Sequence, residues 1–82
     1  MLKVKILGGG CPNCKRLEAE TRKAAAGMAI EAEYEKVTDY NKILAYDVVQ
    51  TPGLVINEKV VASGRIPSQA ELTTILADAL SG

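Results

Sequence analysis

In residues 2–37 the spacing of the apolar residues changes from every second residue to a helical repeat, and then returns to every second residue. This change constrains the fold most strongly. Residues 2–7 alternate apolar and lysine side chains, which is the pattern of a half-buried strand. After the glycines at 8–10, an apolar face of helical spacing runs from Pro12 to about Gly27. Residues 30–37 alternate again, with three glutamates on one side. A strand, a glycine turn, a helix and a second strand in this order predict a parallel pair with a right-handed crossover.

The rest of the chain predicts a short helix, a hairpin and a final helix. Residues 40–46 follow a Thr-Asp capping pair and have the composition of a short helix. Residues 54–56 and 60–62 are two short apolar strands on either side of a turn. Ser68 and Glu71 have capping-box spacing before a final amphipathic helix. The order β-α-β-α-β-β-α predicts an α/β domain, with a mixed four-stranded sheet flanked by three helices.

Length and composition exclude several classes of function. The 82 residues form one small domain, residues 1–82, and a monomer is expected. Ten basic and ten acidic residues form no basic stripe, so a nucleic-acid partner is not expected. No apolar run approaches the roughly 20 residues of a membrane span. Residues 1–7 do not read as a signal peptide, so we expect a cytoplasmic protein, in which a structural disulfide is uncommon.

The two cysteines of the chain, Cys11 and Cys14, are separated by Pro12 and Asn13. We expect Cys11 just before the first helix and Cys14 in its first turn. Free backbone N–H groups and the helix dipole stabilise a thiolate at that place. Cys11 is therefore the predicted nucleophile and Cys14 the predicted resolving thiol, which can attack a mixed disulfide at Cys11. Pro12, Asn13 and the neighbouring cation Lys15 are expected to modulate the reactivity of the thiols.

A metal site is the main alternative for a C-x-x-C motif. The chain has no histidine and no further cysteine, so it cannot complete a closed four-ligand zinc site by itself. Two thiolates could still carry a soft ion such as Cu(I), as in small copper chaperones. Those chaperones have the order βαββαβ, without the helix predicted here at residues 40–46. A non-catalytic module that senses redox state also stays open. No metal ligand set and no bound cofactor are predicted.

A Thr-Pro-Gly stretch, residues 51–53, stands directly before the third predicted strand. Proline donates no hydrogen bond to a sheet, so it belongs at the first residue of a strand or at a bulge. From the residues alone, a trans proline that marks the strand start is the simpler interpretation, because most X–Pro bonds in folded proteins are trans.

Taken together, these stretches resemble the small thioredoxin-like, glutaredoxin-sized redox-active disulfide proteins of archaea and bacteria. The matching stretches, in family order, are residues 6–8, 11–15, 37–39, 51–56 and 64–65. The resemblance implies a thioredoxin fold without the N-terminal strand and helix of full thioredoxins. It also implies a dithiol–disulfide oxidoreductase that cycles a Cys11–Cys14 couple to reduce protein disulfides and needs no cofactor. The Thr51–Pro52 peptide bond is then expected to be cis and to pack beside the cysteines.

The resemblance also assigns binding roles and partners. Thr51, before the cis-Pro52, offers backbone hydrogen bonds to a substrate chain. Gly10 stands where full thioredoxins carry tryptophan, and it leaves space for the substrate to reach the thiol. The implied partners are a thioredoxin-reductase-type electron donor and substrate proteins with disulfides. Lys5 occupies the position of a buried aspartate of full thioredoxins and is expected to be an exposed strand lysine. Arg65 stands where glutaredoxins usually carry an acidic residue that holds glutathione, which argues against glutathione as the donor.

Overall fold

The computed structural model describes residues 1–8 and 12–81. Over this part of the chain the predicted order of strands and helices is confirmed. The elements are β1 (Leu2–Leu7), α1 (Pro12–Gly27), β2 (Ala32–Val37), α2 (Tyr40–Ala45), β3 (Gly53–Ile56), β4 (Lys59–Ser63) and α3 (Gln69–Ser81). The strands form one mixed sheet in the order β2-β1-β3-β4. β1 is parallel to β2 and antiparallel to β3, and β3 is antiparallel to β4.

The alternation of side chains in β1 divides the core into two clusters, one on each face of the sheet. Leu2, Val4 and Ile6 pack in a cluster with buried leucines and alanines of α1 and α3. Leu7 points to the other face and packs in a smaller cluster that includes Ile43 of α2. Both faces are therefore covered, α1 and α3 on one side and α2 on the other. Burying one leucine or isoleucine side chain in this way contributes about 1.5–3 kcal/mol.

The start of β2 differs from the sequence prediction. We expected the strand to begin at Ile30, but it begins at Ala32. The backbone N–H of Ile30 instead donates to the carbonyl of Ala25 at 2.9 Å, and Ala29 has a left-handed φ of 55°. This is the hydrogen-bond pattern of a Schellman motif, which satisfies the last carbonyls of α1. Ile30 thus belongs to the end of the helix, and β2 begins two residues later than the alternating pattern indicated.

The capping box of α3 is present. The backbone N–H of Glu71 donates to Ser68 Oγ at 3.2 Å, and the backbone N–H of Ser68 donates to Glu71 Oε1 at 3.3 Å. The backbone hydrogen bond from Ser68, followed by that from the Arg65 side chain, lowers the pKa of the Glu71 carboxyl. The acceptor therefore stays ionised at neutral pH.

We expect Ser68→Ala to lower the free energy of unfolding by about 1 kcal/mol, because the first turn of α3 loses its side-chain acceptor. Urea denaturation monitored by circular dichroism measures this change. Ser81→Ala, at the exposed end of the same helix, is the matched control and should leave the midpoint nearly unchanged. Equal midpoints for the two variants would contradict the role of the box.

Candidate active site

Cys14 lies where the carboxyl end of β1, the start of α1 and the loop before β3 meet. It is in the first turn of α1, which begins at Pro12, as predicted. Its side chain is only 4% exposed, and its sulfur is in a disulfide bond. Cys11 and Gly10 lie outside the described residues, so their predicted roles stay predictions. Cys14 is thus enclosed by the protein and has little access to another molecule.

Gly8 lets the end of β1 approach the sulfur of Cys14. Its φ is 133°, and its N–H donates to the carbonyl of Val37 at 2.9 Å. A Cβ at this position would lie 2.6 Å from Cys14 Sγ and 3.1 Å from Cβ of Thr51. The site therefore needs glycine both for its backbone conformation and for space. From the sequence, Gly8 was placed at the end of a strand and in a stretch that matches the family, but not against Cys14. Its position three residues before Cys11 was the available signal.

Thr51 and Pro52 are brought to this point by the loop before β3. The peptide bond between them is cis, and Thr51 is exposed whereas Pro52 is buried. The N–H of Gly64 donates to the carbonyl of Pro52 at 2.8 Å. Gly64 has a φ of 70°, and a Cβ there would lie 2.6 Å from Oε1 of Gln50. The end of β4 therefore holds this loop, and the side chain of Thr51 lies beside Gly8 and Cys14.

The N-terminal part of α1 also presents the other predicted site residues. Pro12, Asn13 and Lys15 are all exposed, around the buried Cys14. Lys15 also lines a small cavity next to Cys14. The structure thus brings the predicted modulating residues to the thiol, although it does not test their effect.

Glu18 is a site residue that sequence reasoning missed. It lines the same cavity as Cys14, four residues further along α1. Lys36 Nζ lies 3.3 Å from its Oε1, and Arg22 Nε donates to its Oε2 at 2.9 Å. Partial burial raises the pKa of Glu18, but the hydrogen bonds from Arg22 and Lys36 together outweigh burial and lower it. The four-residue spacing from Cys14 was the signal in the sequence.

Lys5 is not the exposed strand lysine that was expected. Its side chain is 22% exposed, and its Nζ donates to Glu58 Oε1 at 2.6 Å and to the Tyr46 hydroxyl at 2.9 Å. The Tyr46 hydroxyl in turn donates to Glu58 Oε2 at 2.7 Å. The hydrogen bond that Lys5 donates to Glu58, followed by the one that it donates to Tyr46, raises the pKa of Lys5. Lys5 points to the face of the sheet that α2 covers, and Tyr46 at the end of α2 shields it. Because the ammonium group of Lys5 stays protonated, Lys5 cannot act as a base.

The described part of the chain lacks two other kinds of feature. In residues 1–8 and 12–81, no group of three or more histidine, cysteine, aspartate or glutamate side chains could hold a metal ion. Across the same described stretches, no helix has the length and apolar character needed to cross a membrane.

Two known structures with a similar fold are thioredoxins. Chloroplastic thioredoxin z superposes with a TM-score of 0.71 at 14% identity, over 100% of this chain and 80% of its own. The germline-specific thioredoxin Deadhead of Drosophila melanogaster superposes with a TM-score of 0.60 at 24% identity, over 94% of this chain and 79% of its own. These similarities establish a thioredoxin fold.

Sequence comparisons identify the family. The family model described as a thioredoxin domain matches residues 2–77. A thioredoxin of Methanothermobacter thermautotrophicus is 37% identical over 76 residues, which cover 93% of this chain and 99% of the relative. A thioredoxin of Methanocaldococcus jannaschii is 38% identical over 82 residues, which cover 100% of this chain and 94% of the relative. The chain therefore belongs to the thioredoxin family and is a protein thiol–disulfide oxidoreductase.

Proposed function

We propose that the reaction runs through Cys11 and Cys14 in two exchange steps. The Cys11 thiolate attacks a disulfide of a substrate protein, forms a mixed disulfide and releases the first substrate thiolate. Cys14 then attacks the sulfur of Cys11, which forms the Cys11–Cys14 disulfide and releases the second substrate thiolate. Two electrons pass to the substrate, and its two thiolates take up the protons that the cysteines lost.

The observation that carries this proposal is the place of Cys14. A cysteine that is only 4% exposed is poorly placed to meet an external disulfide, but it is well placed for attack within the same molecule. This supports the division of roles in which Cys11 meets the substrate and Cys14 resolves. The first turn of α1 supplies free N–H groups and a positive dipole end that favour a thiolate.

We propose that a substrate chain docks along the exposed Thr51, next to the buried Pro52. The contact of Thr51 with Gly8, on the same side as Cys14, supports this position. The hydrogen bond from Gly64 to Pro52 keeps the loop in place while a substrate chain binds. Gly10 would leave room for the substrate at the thiol. Exposed Pro12, Asn13 and Lys15 would modulate the reactivity of the couple.

The implied partners are substrate proteins with disulfides and a thioredoxin-reductase-type electron donor that restores the dithiol. We propose that the protein acts as a cytoplasmic monomer, without a bound cofactor. The balance of ten basic and ten acidic residues supports partners other than nucleic acid.

Reduction of insulin or of a small synthetic disulfide tests this function. With a chemical dithiol as the electron source, we expect the protein to accelerate reduction at substoichiometric concentration. A parallel Cu(I) titration tests the chaperone alternative, whose βαββαβ order the structure lacks because α2 lies between β2 and β3. Tight Cu(I) binding without any disulfide turnover would overturn the proposal.

A further inference from the structure

A small, partly open cavity of about 20 Å³ lies beside Cys14. This volume has room for about one water molecule. Its lining residues are Ile6, Gly8, Cys14, Lys15, Glu18 and Lys36. Among these lining residues Glu18 carries the single negative charge, and it lies on the same face of α1 as Cys14 because the two are four residues apart.

The charges around this cavity differ in their access to solvent. The side chain of Glu18 is 16% exposed, whereas that of Lys36 is 62% exposed and that of Arg22 is 52% exposed. Lys15 is also exposed. Solvent and salt screen an exposed charge much more than a buried one. Of the charged side chains around the cavity, the carboxylate of Glu18 is therefore the one that solvent screens least.

Two elements hold this carboxylate in place. Lys36 reaches it from β2 at 3.3 Å, and Arg22 of α1 binds it at 2.9 Å. The guanidinium of Arg22 is itself stacked over the ring of Tyr34, 4.0 Å from the ring centre. β1 and the residue that follows it contribute only uncharged residues to the cavity, Ile6 and Gly8. The ion pairs favour the ionised form of Glu18, so a negative charge stands beside the cysteine at neutral pH.

We propose that Glu18 is a positioning residue that keeps Cys14 protonated in the reduced protein, so that the reactive thiolate forms at Cys11. A negative charge raises the pKa of a neighbouring acidic group, so the carboxylate of Glu18 disfavours the thiolate form of Cys14. In the resolving step the Cys14 thiol gives its proton to solvent through the cavity as its sulfur attacks Cys11. Lys36 weakens the effect of Glu18 without cancelling it. This inference rests on the proposed role of Cys14 as the resolving thiol.

The test uses the Cys11→Ser variant of the full chain, in which Cys14 is the single remaining thiol. The ultraviolet absorbance of the Cys14 thiolate, which needs no reagent to reach the buried sulfur, is measured against pH. We expect Glu18→Gln to move the midpoint of this profile to lower pH by about one unit. The fraction of thiolate at neutral pH should rise roughly tenfold, because a fall of one unit in the pKa shifts the protonation equilibrium by that factor. Lys36→Gln should move the midpoint to higher pH, by a smaller amount.

Glu33→Gln and Lys42→Gln are the matched controls, since they make the same charge changes on β2 and α2 away from the cavity. Both should leave the profile unchanged. The opposite shifts of Glu18→Gln and Lys36→Gln separate the charge effect from loosened packing, which would move both profiles in one direction. Equal profiles for Glu18→Gln and its parent, or an equal shift in Glu33→Gln, would overturn the inference.

Disulfide reduction by the protein with both cysteines distinguishes this inference from the proposed function. An inactive protein would refute the proposed function. If the protein is active but Glu18→Gln leaves the pH profile of Cys14 unchanged, only the proposed role of Glu18 is refuted.

Discussion

Cys14→Ser should stop catalytic turnover and leave substrate proteins attached to Cys11. The first exchange step uses only Cys11, so the mixed disulfide still forms. Its release then depends on an external thiol, and this bimolecular attack is slower than a well-placed intramolecular one by roughly 10³-fold or more. Turnover of insulin should fall accordingly. Electrophoresis without reductant, followed by mass spectrometry of the joined peptides, measures the trapped species.

Cys11→Ser is the matched variant for this experiment, because it removes the other sulfur of the same motif. It should lose turnover as well, but without trapped substrate, since the remaining sulfur at Cys14 is buried. Substrate trapped on Cys14 in Cys11→Ser would reverse the assigned roles. Undiminished turnover in Cys14→Ser would refute the two-step mechanism.

Gly8→Ala should have the largest effect on stability among the substitutions considered. A φ of 133° is strained for any residue with a side chain, and such strain costs about 1–3 kcal/mol. The added Cβ would also lie 2.6 Å from Cys14 Sγ and 3.1 Å from Cβ of Thr51. Relief requires a shift of α1 or of the loop before β3, which adds about 1–3 kcal/mol. We expect a total loss of about 2–6 kcal/mol in the free energy of unfolding.

Urea denaturation of the oxidised protein measures this loss, and insulin reduction measures the accompanying disturbance of the site. Gly27→Ala is the control, because a Cβ at the end of α1 would meet nothing within 4 Å. It should keep or slightly raise stability, since alanine favours the helix by up to about 1 kcal/mol. A denaturation midpoint for Gly8→Ala equal to that of the wild type would show that the approach of β1 to Cys14 is not tight.

Patterns that involve neighbouring residues were predictable from the sequence. The alternation in β1, the start of α1 at Pro12 and the capping box at Ser68 and Glu71 depend on residues at most four positions apart. Each of these is confirmed by the structure. The start of β2 was wrong because two local signals compete there, and the hydrogen bond from Ile30 to Ala25 favours the helix end.

The arrangement of the candidate site depended on contacts between distant parts of the chain. Gly8 meets Thr51 because β1 and β3 are neighbours in the sheet, with Leu7 paired to Gly53. Lys5 is bound by Glu58, 53 residues away, because the β3–β4 turn lies against β1. No spacing within the sequence encodes such pairs.

The sequence by itself determined the order of the elements, the class of the fold and the identity of the thiol motif. These follow from apolar periodicity, caps and two cysteines in 82 residues, all of which act over a few positions. The tertiary structure alone decided that Cys14 is buried, that Gly8 must remain without a side chain and that Glu18, paired with Lys36, lines the same cavity as Cys14. Burial, close approach and the strength of a charge are set by which elements pack together, and the sheet order decides that packing.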